Sequence, residues 1–208
     1  MKSVKIILGA LFSFVIASAA LAENRIGVSA QFHMFSTSGT EKLRDSGKLT
    51  NGSEDNDVVV PSIFLEYMGD SGLGVGIDYV PVAELGEGTG ADDDAETSGA
   101  NKASAELASH VTLYTILEGD GGYYGKLGVA FADVDTTENL ATGDSYGNAS
   151  TEGLMIGLGY STDYAGYIVR GELSHTAYDS VSLTSAGGST IEADMDTTAF
   201  TLSIGKAF

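Results

Sequence analysis

Five charged residues are spaced so that they could meet inside the folded chain. Each lies three to six residues from a Gly/Asp-rich turn, in a segment where polar and apolar residues alternate: Glu66, Asp78, Lys126, Arg170 and Glu172. Alternation with period two places such residues on one face of a β-strand. Two cations among three carboxylates predict an interior ion-pair network centred on Arg170, in which a hydrogen bond or a proton must stabilise the excess negative charge.

This network has two interpretations. It could be a gate that opens a pore, or a plug that fixes the interior packing and closes the passage. Unpaired charges in a narrow interior are costly, so a network of paired charges favours the plug. We therefore expect no continuous aqueous channel, and at most slight porin activity.

Two histidines belong to the same kind of face. His33 lies eight residues after Arg25, where the first predicted strand begins, and His110 lies eight residues before the turn that begins at Glu118. They could form a pH-sensitive pair or half of a metal site. Because no third ligand accompanies them, we interpret both as hydrogen-bonded interior histidines and predict no metal site.

Other reactive groups do not form a catalytic constellation. In Ser174-His175-Thr176, alternation turns Ser174 inward and His175 outward, so a nucleophile and its base would lie on opposite faces. The acidic run Asp92–Glu96 lacks the spaced ligand pattern of a calcium loop and reads as a solvated loop. The absence of cysteine excludes disulfides and thiolate metal sites. We predict no enzyme activity and no cofactor.

The elements that must position these residues are β-strands. Eight segments show period-two alternation, each roughly ten residues long or slightly more. They are Arg25–Phe35, Val58–Met68, Leu73–Val82, Lys102–Leu117, Tyr123–Val134, Gly153–Ser161, Tyr167–Tyr178 and Met195–Phe208.

The connections between the segments alternate in length. Three are short Gly/Asp turns: Gly69–Gly72, Glu118–Gly122 and Thr162–Gly166. Four are long and polar: Ser36–Asp57, Ala83–Asn101, Asp135–Glu152 and Asp179–Asp194. Short turns at one end and long loops at the other are typical of transmembrane barrels. The sequence therefore predicts an all-β fold, an eight-stranded antiparallel up-and-down transmembrane β-barrel with its short turns in the periplasm.

The two faces of the segments differ in size. One is bulky: it includes Leu65, Ile77, Leu107, Val111, Leu113, Val129, Ile156, Leu173, Leu202 and Ile204. The other is small or polar, which suits a narrow lumen, so we expect the bulky face to contact lipid. Aromatic residues form two levels on it, typical of the girdles at the membrane interfaces. Pro61 and Pro81 interrupt the second and third segments, where we expect bulges or frayed pairing.

The first residues predict export. Lys2 and Lys5 precede the apolar run from Ile6 to Ala17, and Ala20-Leu21-Ala22 forms a cleavage pattern. This anatomy predicts a signal peptide over residues 1–22 and a barrel domain over residues 23–208; a membrane anchor helix is the alternative.

The net charge of −19 argues against nucleic acid as a partner.

The chain resembles the small outer-membrane β-barrel family of OmpA-type transmembrane domains and opacity-like surface proteins. The resemblance rests on the export pattern, the eight segments and the terminal stretch Phe200–Phe208. It implies a place in the outer membrane, surrounded by its lipid, and an interior ion-pair cluster. The aromatic last residue, Phe208, resembles the signal by which the barrel-assembly machinery recognises its clients.

Three functions remain open. The first is a structural or surface-interaction barrel whose long loops meet an extracellular ligand, a surface or a phage. The second is a narrow porin for ions or small solutes. The third is an outer-membrane enzyme that modifies lipid, for which the Ser174–His175 geometry gives no support.

Overall fold

The described part of the chain consists of β-strands joined by turns and short connections. The computed structural model describes residues 23–44, 46–92, 99–141, 143 and 145–208; the predicted signal peptide and most of the acidic run lie outside these ranges. Ten strands are described: β1 (Glu23–Lys42), β2 (Leu49–Met68), β3 (Leu73–Val80), β4 (Ala83–Asp92), β5 (Gly99–Glu118), β6 (Tyr123–Asn139), β7 (Ala149–Tyr164), β8 (Tyr167–Tyr178), β9 (Val181–Thr184) and β10 (Thr190–Ala207).

Eight of these strands close into a ring. The order is β1, β2, β3, β5, β6, β7, β8 and β10, every ladder is antiparallel, and β10 returns to pair with β1. Backbone hydrogen bonds between Asn24 and Phe208 complete the closure. Strand β4 pairs with β5, and β9 pairs with β10. The predicted eight-stranded antiparallel barrel is confirmed; we call its short-turn end lower and its opposite end upper.

The predicted long loops are largely wrong. Strands β1 and β2 stay paired up to Lys42 and Leu49, and β6 and β7 end only at Asn139 and Ala149. The regions predicted as the loops 83–101 and 179–194 contain β4 and β9. Above the membrane both strand faces meet water, so the alternation disappears although the ladder continues. The polar composition of these segments therefore predicted loops where the structure has paired strands.

Proline shapes one seam in the barrel wall. Pro81 lies in the break between β3 and β4, and the β2–β3 ladder ends at Ile63 and Tyr79, two residues below Pro61. Proline supplies no N–H to a ladder. The frayed pairing predicted there is confirmed. Above this point, within the described residues, β2 has no ladder partner on its β4 side.

The outer face carries an exposed apolar belt. Tyr123 and Tyr160 pair at its lower edge, with ring centroids 5.2 Å apart, and Phe32 and Phe200 pair at its upper edge. Leucine, isoleucine and valine side chains between these levels are exposed, as expected for lipid contact. No helix among the described residues is long and apolar enough to span a membrane.

One residue of the predicted outer face is turned inward. Leu107 was expected beside Val111 and Leu113, but it is buried in a cluster with Val60 and Val80. A β-bulge between Leu107 and Ser109 adds one residue to the strand and reverses the alternation above it, where Leu107 lies. The prediction for Leu107 was therefore wrong.

The inner face is also less uniformly small than predicted. Phe64, Tyr114 and Tyr124 are buried, and each pairs across its ladder with a glycine: Gly27, Gly76 and Gly159, respectively. A Cβ atom at Gly76 would lie 2.4 Å from the Tyr114 ring, and one at Gly159 would lie 2.3 Å from the Tyr124 ring. Each glycine thus provides the space in which a large ring fits inside a narrow barrel.

Candidate functional site

The lower lumen is held by a buried arginine–carboxylate pair. Arg170 on β8 donates from both terminal nitrogens to Glu66 on β2, at 2.6 and 2.7 Å. Their exposures are only 3% and 4%, and Tyr114 donates its hydroxyl to Glu66 at 2.8 Å. Bidentate geometry with a further donor is the arrangement that makes a buried charge pair tolerable.

A second pair lies beside the first. Lys126 Nζ is 2.8 Å from Glu172 Oε2 and 4.4 Å from the centre of the Tyr114 ring. Asp78, the fifth predicted member, makes no ion pair among the described contacts and instead accepts hydrogen bonds from Gln31 and Ser62, each at 2.9 Å. The structure thus brings four predicted residues into two ion pairs and stabilises Asp78 with neutral donors.

Sequence reasoning missed a third pair at the lower rim. Arg25 Nη1 lies 2.7 Å from Glu118 Oε2, and Arg170 Nη2 lies 3.9 Å from the same oxygen. Arg170 therefore lies between two carboxylates. Glu118 was assigned to a turn, although it is the last residue of β5. Glu118 follows Tyr114 and Ile116 at alternate positions of β5, so it lies on the same inward face. This alternation is the signal that could have identified it.

Apolar side chains complete a plug. Met68, Tyr114, Ile116, Tyr124 and Met155 form a buried cluster around the ion pairs. Above them a cavity of about 40 Å³ separates the pairs from the histidines, and below them a bowl of about 600 Å³ opens between the short turns. The small upper cavity has room for only a few waters. We refer to the ion pairs and this cluster as the plug.

Both predicted histidines lie above the plug and are hydrogen-bonded. His33 contacts Gln31 Oε1 at 2.8 Å and Thr197 Oγ1 at 3.3 Å, and His110 Nε2 contacts the Tyr178 hydroxyl at 3.0 Å. Across the described parts of the chain, no cluster of three or more histidine, cysteine or acidic residues could hold a metal ion. Their contacts make these histidines part of the interior packing.

Above the histidines the lumen becomes apolar. Inward side chains there leave a cavity of only about 20 Å³, and we call this constriction the throat: Val58, Val60, Val80, Leu85, Leu107, Ala132, Val134 and Met195. Leu85 and Phe35 also line a vestibule of about 590 Å³ that opens at the upper end. The interior therefore changes from charged to apolar to open along the barrel axis.

A tyrosine joins two walls at the upper end. Tyr146, in the 140–148 connection, donates its hydroxyl to Glu41 and its backbone N–H to Glu138, each at 2.5 Å. Burial raises the pKa of the Tyr146 hydroxyl, and the hydrogen bond to Glu41 raises it further. The tyrosine stays neutral and acts as a donor, so it fixes this connection across the rim.

The remaining predicted residues lie apart from the plug. His175 is exposed on the outer face and contacts Thr198 at 3.2 Å, whereas Ser174 lines the interior cavity. The two side chains point to opposite faces, so they do not form a nucleophile–base pair. Phe208 is 74% exposed at the lower edge of the belt.

Solved structures share this fold, although the sequence matches no protein-family model and no curated protein. OprG, an outer membrane protein of Pseudomonas aeruginosa, has a TM-score of 0.51 and 15% identity, with 88% of this chain and 96% of OprG covered. Ail, the attachment invasion locus protein of Yersinia pestis, has a TM-score of 0.44 and 11% identity, with 89% and 99% covered. The outer membrane protease OmpT of Escherichia coli has a TM-score of 0.47 and 9% identity, with 92% and 100% covered. The chain has the fold of the small outer-membrane β-barrels, and at these identities the likeness concerns the fold alone.

Proposed function

We propose that this chain is a non-conducting outer-membrane barrel that acts at the cell surface through its upper hairpins. The observation that carries the proposal is the plug, in which Arg170 and Glu66 bind each other across the lumen. Breaking this pair would strand a buried charge, so spontaneous opening is unfavourable. A barrel closed in this way acts on its surroundings rather than passing solutes.

The upper hairpins support a surface role. Strand β1 continues for ten residues beyond Phe32 before it ends at Lys42, which is about 25 Å above the belt at ~3.3 Å per residue and ~40° tilt. Cross-strand hydrogen bonds such as Ser36 to Asp55, 2.7 Å, order the exposed face. A preformed surface loses little conformational entropy when it binds an extracellular ligand, another surface or a phage.

Planar-bilayer recording tests the proposal against the alternative of a narrow porin. The purified protein should insert without discrete conductance steps. The Glu66→Ala/Arg170→Ala double variant removes the pair without stranding either charge. Combined with Val60→Ala and Leu107→Ala, which widen the throat, it should show steps and serves as the control that insertion is detectable. Steps of similar size from the parent protein would establish the porin instead.

The proposal includes the barrel-assembly machinery as a transient partner. Phe208 resembles its recognition signal, and the exposed ring makes few interior contacts, so we expect its removal to affect assembly more than stability. Deleting Phe208 should reduce the amount inserted in cells while refolding into detergent stays intact. An equal loss in both assays would assign Phe208 a structural role.

We also propose that residues 1–22 are a signal peptide and that the mature protein begins at Glu23. The basic start, the apolar run and the small-residue cleavage pattern support this processing. N-terminal sequencing of the membrane-inserted protein should read Glu23-Asn24-Arg25. A protein that retains Met1 would favour the anchor helix.

A further inference from the structure

The vestibule has the size of a small-molecule site. Its volume of about 590 Å³ lies within the range of ~300–1,000 Å³ that is usual for ligand pockets. Phe35 and Leu85 form its floor, where it meets the throat. The throat, with about 20 Å³, has room for one water. A ligand would therefore rest on this floor rather than pass through it.

The walls of the vestibule carry one sign of charge. Among the described residues that line it, every charged side chain is a carboxylate. Glu54 shares the inward parity of Val58 and Val60 on β2, and Glu138 lies on β6, which shares no ladder with β2. Glu138 already accepts from Tyr146, whereas the side chain of Glu54 makes no hydrogen bond or ion pair with the described residues. The vestibule therefore repels anions and attracts cations.

The seam adjoins the same space. Asn56 on β2 donates its side-chain amide to the backbone oxygen of Leu85 at 2.9 Å, across the gap where β2 and β4 share no ladder. Both residues line the vestibule. This wall has fewer backbone hydrogen bonds than a continuous ladder, so it can adjust to a ligand at lower cost.

From these features we infer that the vestibule binds a small cationic amphiphile. The positively charged head lies near the three carboxylates Glu54, Glu87 and Glu138. The apolar body packs on Phe35 and Leu85. Both features are needed to define the ligand class: the carboxylates favour a positive charge, and the apolar floor favours an apolar group. This site is separate from the plug and from the outer surfaces of the hairpins.

Calorimetry with matched probes tests the inference. The full-length mature protein in lipid nanodiscs is titrated with phenylbutylammonium, phenylbutanol and phenylbutyrate, and empty nanodiscs correct for partitioning. The ammonium should bind about fivefold tighter than the alcohol, as expected for one favourable charge contact partly screened by water. The carboxylate should bind weaker still. Equal affinities for the three probes, or no saturable binding of the ammonium, would overturn the inference.

Substitutions locate the site. Glu54→Gln/Glu87→Gln/Glu138→Gln removes all three described carboxylates of the vestibule and should reduce ammonium affinity to that of the alcohol. Glu192→Gln, on an exposed position of β10, should not change it. Leu85→Asn is close in size to the leucine of the floor but polar, so it should weaken binding of both the ammonium and the alcohol. Retained ammonium preference in the triple variant would place the charge contact elsewhere and contradict the inference. If a variant fails to fold, the comparison of the three probes on the parent protein decides.

Discussion

In the lower half of the lumen Arg170 donates twice to Glu66, whereas in the upper half Val60, Val80 and Leu107 pack against one another. The lower half is encircled by continuous ladders, and the upper half is bordered by the seam between β2 and β4. Each buried charge below needs a partner in a fixed place, so that region is closed and specific. Apolar packing above has no such directional demand. The comparison shows how one narrow barrel can combine a rigid plug with an adaptable vestibule.

The largest expected effect is at the centre of the plug. Arg170→Ala leaves Glu66 buried without its cation, so the free energy of unfolding should fall by about 3–5 kcal/mol, less any gain from water that enters. Denaturant unfolding in detergent measures this loss. Lys42→Ala, at an exposed upper position, should leave the midpoint unchanged. Equal midpoints for Arg170→Ala and the parent would show that Arg170 does not hold the plug.

The next effect concerns the fit between glycine and aromatic ring. Gly76→Ala forces a methyl group against Tyr114, with a carbon only 2.4 Å away, and overpacking of this kind costs about 1–3 kcal/mol. Gly52→Ala in the upper part of β2 meets nothing within 4 Å and serves as the matched control. Thermal unfolding of the two variants compares the halves directly. A larger loss for Gly52→Ala would reverse the comparison.

The smallest effect separates charged from neutral contacts within the lower half. Asp78→Asn keeps the shape of a side chain that accepts hydrogen bonds from Gln31 and Ser62. Replacing one acceptor oxygen by a donor should cost about 1 kcal/mol. Glu66→Gln, which removes the negative charge and one of the two acceptor oxygens that face Arg170, should cost clearly more in the same unfolding assay. Equal losses would place Asp78 in the ion-pair network after all.

Much of the fold follows from local signals. The Gly/Asp turns and the period-two alternation predict the eight-strand ring, because lipid and lumen impose opposite demands on the two faces. Above the belt both faces meet water, so nothing in the sequence marks where β1 and β2 continue to Lys42 and Leu49. The inward position of Leu107 depends on a bulge, which no single residue announces.

The candidate site was predictable in part. The alternation of side chains along each strand places four of the charged residues on the inward face: Glu66, Lys126, Arg170 and Glu172. Alternation cannot predict which carboxylate each cation binds. That choice depends on the register between strands. The same register sets Gly76 opposite Tyr114 and creates the space for the plug. The apolar throat was not predicted, since it requires the bulge at Leu107 and the break at Pro81 together.

The central claim is that the lumen is closed between its upper vestibule and its lower bowl. The chain has no cysteine, so Thr37→Cys in the vestibule and Thr162→Cys in the bowl can be combined in one molecule. Sealed proteoliposomes are treated from outside with a small membrane-impermeant maleimide, and labels per chain are counted by mass spectrometry. A closed lumen predicts only singly labelled chains, whichever way each barrel is inserted, and double labelling after detergent is added. Doubly labelled chains in intact vesicles would contradict the account.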